Sequence, residues 1–340
     1  MDIRCPQILG HAERVKSLLT LDSQTTVKII SQNKLMHKCL LGISRWVRYD
    51  GKVKKRLIFY YRKGNRRAPK WVKVLSAHIK KRHPNITLGG ERLETEASKS
   101  NVRPHFVVVL GGDGTILDAA RLYGKQGAII VGLNLGHVGF LASARRPQEF
   151  LKSIDALVKG AYTVSKRMMV TGMIYRGGKL VYETDSINEI AVQGLSGSIK
   201  LTVSIDGHPL QYIHGNGVMV ATPTGSTAYN LSAHGPIVTP DIQCFIVTEL
   251  LDHHIPTPSI VVKRTKTIEI NITEIRAKGL FTATATGVAV DAVVTSDDTN
   301  IFPIREGDKI VVGRSRRLVA FAEFTPGYFY KSLQEKFAFR

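Results

Sequence analysis

From Lys54 onward, apolar and polar positions follow two different patterns. In the first, strands alternate with helices. "KKRLIFYYRKG" reads as a strand. "APKWVKVLSAHIKKRHP" follows, with Trp71, Leu75, His78 and Ile79 on one helical face and Pro84 after its end. "PHFVVVL" is a continuous apolar run, as a strand covered on both faces requires. Ile116, Ala119, Ala120 and Tyr123 then recur at helical spacing, with Gly124 as a stop, and "GAIIVGLNLG" reads as a second buried strand. "RPQEFLKSIDALVKG" turns Phe150, Ile154, Leu157 and Val158 to one side, between Pro147 and Gly160. Such alternation predicts a parallel, doubly wound α/β sheet.

After Gly160 the period changes. "MMVTGMIYRGGKLVYETDSINEIAVQG" reads as two strands joined at Gly177-Gly178, and "IKLTVSIDGHPLQY" alternates Ile199, Leu201, Val203 and Ile205 before a turn at Asp206-Gly207. "KTIEINITE", "GLFTATATGVAVDAVV" and "DKIVVG" continue in short strands, which predicts an all-β region of sandwich type. "PGYFYKSLQEKF" reads as a final helix. The expected layout is an N-terminal extension over residues 1–53, an α/β nucleotide-binding domain over 54–160, a β-sandwich domain over 161–320 and a C-terminal segment over 321–340 that packs back on the α/β domain.

The chain has 340 residues, enough for two domains with cores of their own. Cys5, Cys39 and Cys244 are far apart and show neither metal-ligand spacing nor a disulfide framework, so a reducing cytoplasm is expected. No apolar run approaches the roughly 20 residues of a membrane span, and no membrane partner is expected. The net charge of +21 is concentrated early: residues 1–105 hold 24 Lys/Arg against 7 Asp/Glu. Such a field attracts polyanions. The runs Lys54-Lys55-Arg56 and Lys80-Lys81-Arg82 lack interleaved aromatic platforms, so nucleic acid is not the expected partner.

Three motifs carry chemistry. Gly111-Gly112-Asp113-Gly114-Thr115 sits between a strand and a helix, where bare main-chain N–H groups favour phosphate. Asp113 within it has three readings: a helix cap, a group reaching phosphate-bound Mg²⁺, or an acceptor for an attacking alcohol. Thr222-Pro223-Thr224-Gly225-Ser226-Thr227 ends a strand and precedes the helical "AYNLSA", again a turn of small donors suited to phosphate or ribose. Asn188-Glu189 offers donors and acceptors together.

Together with the strand and turn "GLNLGHVGFL" at 132–141, these motifs resemble the NAD kinase family from about Lys54 to the C-terminus. The resemblance implies a Rossmann/phosphofructokinase-like domain followed by a β-sandwich. It also implies phosphoryl transfer from ATP, or inorganic polyphosphate, to the 2′-hydroxyl of the adenosine ribose of NAD. Mg²⁺ or another divalent cation would arrive with ATP, and no metal site made by protein alone is expected. By the same resemblance, Asp113 is the carboxylate at the reacting hydroxyl. Gly112, Gly114 and Thr115 lie against phosphate, and Asn134 and Phe140 border the nucleotide. Asn188 and Glu189 bind the adenosine end. Thr224, Thr227, Ala228, Tyr229 and Ser232 line the dinucleotide pocket, with His214 and Asn216 toward the nicotinamide side. A homodimer or homotetramer is implied.

The chain departs from the family pattern in four places. Gly215-Asn216-Gly217 stands for Gly-Asp-Gly, and His214 stands where some members have Arg. Ser232-Ala233-His234-Gly235 stands for Ser-Ala-Gly-Gly, and Asp291-Ala292 for an Asp-Gly turn near the C-terminus. Two rival readings share parts of the pattern. A diacylglycerol- or sphingosine-type lipid kinase has the glycine loop but leaves "TPTGSTAY" and Asn188-Glu189 unexplained. A non-catalytic basic nucleotide- or nucleic-acid-binding protein rests on the charge of residues 1–105.

Overall fold

Alternate residues of the first strand face opposite ways, and both sides of it are covered by helices. β1 (Lys55–Tyr61), β2 (Ile86–Leu93), β3 (Phe106–Gly111) and β4 (Ile129–Asn134) pair in parallel in the order β4-β3-β1-β2. Three helices connect or follow them: α1 (Ala68–Arg82), α2 (Asp113–Gly124) and α3 (Phe150–Lys159). Leu57, Phe59 and Val108 face α1 and α3, meeting Val72, Leu75, Ile79, Phe150 and Ile154. Ile58, Tyr60 and Val107 face α2, meeting Ile116, Ala119 and Tyr123. Each face is a close-packed layer, which is what makes the sheet doubly wound. The computed structural model describes residues 54–93, 103–137, 139–195, 197–253, 257–276, 278–282, 289–297 and 299–337. The expected N-terminal extension and part of "GLFTATATGVAVDAVV" lie outside these residues.

The antiparallel region follows. It comprises β5 (Thr163–Arg176), β6 (Lys179–Ser186), β7 (Glu189–Gly194), β8 (Ile199–Ile205), β9 (His208–Ala221), β10 (Cys244–Asp252), β11 (Ile260–Lys263), β12 (Ile268–Ile275), β13 (Ala292–Ser296), β14 (Asn300–Pro303) and β15 (Lys309–Glu323). Val170, Val192, Val203, Phe245, Ile270 and Ile310 from six of these strands share one core. β15 joins the two regions. Its first half pairs with β12 and β5, and its end runs parallel to β4 through Ala320↔Ile129 and Phe321↔Ile130. All fifteen strands are therefore linked by hydrogen bonds into one sheet, with β5 and β6 branching from β15 and β10 and β11 from β9.

Two short helices complete the chain, α4 (Tyr229–Ser232) and α5 (Tyr328–Phe337). α5 packs against the segment between β4 and α3. Arg145 Nη2 donates to the Tyr328 carbonyl and to Ser332 Oγ, each at 2.9 Å, and Arg145 pairs with Glu335 at 2.5 Å. Among the described residues, no helix is long and apolar enough to cross a membrane.

Candidate functional site

Gly112 is the N-cap of α2, in extended backbone, and makes no side-chain cap. Asp113 is the first helical residue, so its charge suits the positive end of the helix dipole. Its carboxylate does not cap the helix. It leaves the helix and accepts the N–H of Phe140 at 2.6 Å and of Leu141 at 3.2 Å. The cap reading is excluded by this geometry. The residue opposite is Gly139, where a Cβ would overlap the Asp113 carboxylate. Glycine is there for close approach, with no side chain to displace the acid. Tyr328 closes the turn from behind, its Oη donating to the Gly139 carbonyl at 3.3 Å. Burial pushes that phenol up to about 12, so it stays a donor.

Burial raises the Asp113 carboxyl above the ordinary carboxylate value, against the two N–H donors and the Lys336 ammonium, which pull it down. Lys336 belongs to α5 and lies 5.0 Å from the centre of the Phe140 ring, with Phe329 and Phe337 also against that ring. Thr115 is buried beneath Gly111, and Gly114 is exposed. Arg62, missed in the sequence reading, crosses the first turn of α2. Its Nε donates to Asp118 at 2.8 Å and its Nη2 reaches the Gly114 carbonyl at 3.4 Å. A strand-end arginine so near a phosphate loop is a detectable signal, because β1 points at the loop after β3.

Asn134 is hydrogen-bonded within its own loop. Its Oδ1 accepts the N–H of Gly136 at 2.9 Å, and its Nδ2 donates to the carbonyls of His137 and Gly136. The amide closes its own loop, which carries the chain toward Gly139.

A second group of residues forms around Asn188-Glu189. The Asn188 carbonyl accepts the N–H of Thr222 at 2.7 Å, and Thr222 Oγ1 donates to the Ile187 carbonyl at 2.6 Å. A Cβ on Gly225 would overlap the Asn188 carbonyl, so only glycine lets the hydroxyl-rich turn lie this close. Asn188 is half-buried, and the Glu189 carboxylate is buried. Both are held by Asp297, a residue not singled out from sequence. It accepts the N–H of Asn188 at 2.7 Å, that of Ile187 at 3.0 Å and the hydroxyl of Ser186. Asp297 has φ 50° and lies in the turn between β13 and β14. Asp291-Ala292, which stands for the family's Asp-Gly turn, leads directly into a strand. Asp291 accepts N–H groups of Lys278 and Gly279, and Ala292 already belongs to β13. The residues "AVVTS" that follow Asp291 have high β propensity, which suits a strand there.

Ile187 connects the two groups. It packs in one cluster with Ile116 of α2 and Leu141 of the Asp113-bound turn. Of the remaining expected residues, Thr224 is buried, Thr227 and Ala228 are half-buried, and Ser232 is exposed. Tyr229 Oη donates to Gln193 at 3.4 Å. His214 stands apart on β9, at 3.3 Å from Ser198 Oγ and with its ring 5.3 Å from that of His253; Asn216 beside it is exposed. A separate cavity of about 460 Å³ runs along α2 past Asp118, Arg121, Lys125, Asp185 and Arg317; none of the expected site residues lines it.

Comparison with known proteins agrees with the fold. Residues 43–162 match the ATP-NAD kinase N-terminal domain and residues 187–317 the ATP-NAD kinase C-terminal domain. The chain is 35% identical to an NAD kinase of Moorella thermoacetica over 242 residues, 71% of this chain and 73% of the relative. It is 32% identical to an NAD kinase of Geotalea daltonii over 233 residues, 68% and 77% of the two chains. Its fold is similar to that of yeast NADH kinase complexed with NADH, at a TM-score of 0.72 and 19% identity over 85% of this chain and 89% of the other. It is also similar to that of an Archaeoglobus fulgidus NAD kinase in complex with ATP, at a TM-score of 0.61 and 24% identity over 83% and 98%. The chain belongs to the NAD kinase family and has that family's phosphotransferase activity.

Proposed function

We propose that Asp113 receives the 2′-hydroxyl proton of the adenosine ribose of NAD as that oxygen attacks the γ-phosphorus of ATP. The new bond is O2′–P, the broken bond is the β–γ bridge, and ADP leaves with the bridging oxygen. Phosphoryl transfer needs positioning and charge stabilisation more than covalent help. The supporting observation is the Asp113 carboxylate itself. It is fixed by two N–H groups at the mouth of a helix N-terminus and not spent on capping. Its raised pKa narrows the gap to an alcohol, although the proton still moves late, after bond formation has acidified it.

Gly112, Gly114 and Thr115 would hold phosphate at the positive end of α2, with Arg62 adding charge. Mg²⁺ enters as part of MgATP. The donor set supports that reading: the Asp113 oxygens already accept two N–H groups, and the one three-ligand cluster among the described residues, His78, His83 and Asp155, is remote from the glycine loop in the fold. Asn188 and Glu189 would take the adenosine end, and Thr224, Thr227, Ala228, Tyr229 and Ser232 the dinucleotide. The reading includes a homodimer or homotetramer located in the cytoplasm. Exposed Tyr212 and Leu251, beside the His214–His253 pair, support a further chain at that corner.

The test is NADP formation from NAD with MgATP or Mg-polyphosphate, read by an NADP-specific dehydrogenase. Asp113→Asn is expected to keep NAD binding and lose about 10² to 10⁴-fold in kcat. Unchanged kcat in that variant refutes the role.

A further inference from the structure

α1 and α3 lie on the face of the parallel sheet opposite α2, and their outer surfaces bring together three side chains that the phosphotransferase reading does not use. His78 lies in the last turns of α1, and His83 follows its end as the C-cap. Asp155 lies in the middle of α3. Both imidazoles aim the same atom at the same oxygen: Nε2 of His78 is 2.6 Å and Nε2 of His83 is 2.7 Å from Asp155 Oδ1. The side chains are partly buried, at 16%, 11% and 23% exposure. Among the described residues, no other group of three or more His, Cys, Asp or Glu side chains has ligand atoms this close, all within 4.8 Å of one another.

We propose that His78, His83 and Asp155 form a binding site for a borderline transition-metal dication of the Zn²⁺ class, clipping the end of α1 to α3. Two imidazole nitrogens and one carboxylate oxygen are a donor set for Zn²⁺, Co²⁺ or Ni²⁺. Mg²⁺ and Ca²⁺ require six or more oxygens. Zn–N and Zn–O bonds of about 2.0–2.2 Å in tetrahedral geometry need each N···O separation to open by less than about 1 Å, within a rotamer adjustment. The metal replaces the hydrogen-bonding protons on the two Nε2 atoms, which shift to Nδ1 or are released to solvent. The fourth position is left for water. Arg82 Nη1, 3.6 Å from Asp155 Oδ2, occupies the second carboxylate oxygen and leaves Oδ1 for the metal. The helices already touch through Trp71 and Phe150, whose ring centres are 5.0 Å apart, so the site is built on a packed base.

The probe is ZnCl₂ alone, titrated into the full chain after removal of any tag and chelation of bound metal. Calorimetry and thermal melting are run on the wild type, His83→Ala and Asp155→Asn. The wild type is expected to bind one equivalent more than either variant, or to bind that equivalent at least about 10- to 100-fold more tightly, the loss typical of disturbing a metal site's supporting residues. Zn²⁺ is expected to raise the wild-type Tm and to raise that of the variants less. NADP formation by the variants without Zn²⁺ stays at the wild-type level, which shows that they are folded. Equal stoichiometry, affinity and Tm rise in all three proteins overturns the site. Co²⁺ gives a reading that needs no variant: loaded wild type should show tetrahedral d–d absorption without a thiolate charge-transfer band. A thiolate band, or no tetrahedral band, overturns the assignment.

Discussion

The main-chain N–H of Asn188 donates to the carboxylate of Asp297 at 2.7 Å, across 109 residues of sequence. That bond, with those from Ile187 and Ser186, fixes the chain where it enters β7 and presents Asn188 and Glu189. Asp297→Asn keeps the volume but leaves one acceptor oxygen for three donors. It should lower stability by about 1–3 kcal/mol, the cost of unsatisfied buried donors. KM for NAD should rise more than kcat falls, because the change loosens a binding segment and leaves Asp113 in place. An unchanged KM would separate Asp297 from the site. The pH dependence has a definite sign. Burial raises the Asp297 pKa in the folded chain above the ordinary 3.8. The unfolded chain therefore ionises first, and this residue's contribution to stability falls as pH rises from about 3.8 toward the folded value. Denaturation at several pH values should show the wild type losing stability relative to Asp297→Asn across that window.

Gly139 tests whether the acid must sit where it does. A Cβ at that position would overlap the Asp113 carboxylate. Gly139→Ala should push the carboxylate off the Phe140 and Leu141 N–H groups, at about 1–3 kcal/mol, the usual cost of overpacking. Activity should fall much further than the stability loss implies, with the drop in kcat. A variant with a lower Tm but full kcat would show that aim at this precision is unnecessary.

The same logic applies to the contact between the hydroxyl-rich turn and the adenosine-binding pair. Gly225→Ala would drive a Cβ into the Asn188 carbonyl and break the register set by Thr222. The expected result is a raised KM for NAD and a lower Tm, both read on purified protein. Restored affinity in a variant carrying a larger residue at 225 would contradict the proposed close packing.

Much of this was legible in the sequence because the signals are local. The run "PHFVVVL" and the helical spacing of Ile116, Ala119 and Tyr123 define β3 and α2 without reference to the rest of the chain. What sequence could not resolve is where a side chain goes once neighbours arrive. Asp113 opens a helix, so capping was a fair local reading, yet its partners are 27 and 28 residues away. Asn134 is implied by the resemblance to lie at the nucleotide, and its bonds to Gly136 and His137 depend on the fold of a loop that local sequence does not display. Asp297 was invisible because its meaning lies in three donors more than a hundred residues earlier. β2 was missed because Gly89-Gly90 interrupts its pattern, although its pairing with β1 overrides the weak propensity.

Lys336 separates the electrostatics of Asp113 from its geometry. Its ammonium, carried by α5 over the Phe140 ring, pulls the Asp113 pKa down, while burial raises it more. Lys336→Met keeps most of the apolar stem over the ring and removes the charge. The ionised form of Asp113 then loses support, so the pKa rises further. If Asp113 is the base, the acid limb of kcat/KM reports that pKa in the free enzyme. The limb should therefore move to higher pH in Lys336→Met, while kcat on the plateau changes little. Lys336 is exposed, so the shift is greatest at low ionic strength and shrinks as salt screens the pair. Salt should shift the wild-type limb in the same direction as the mutation. An acid limb that stays fixed in Lys336→Met at low salt, or moves to lower pH, would assign the limb to another group and remove Asp113 from the proton transfer.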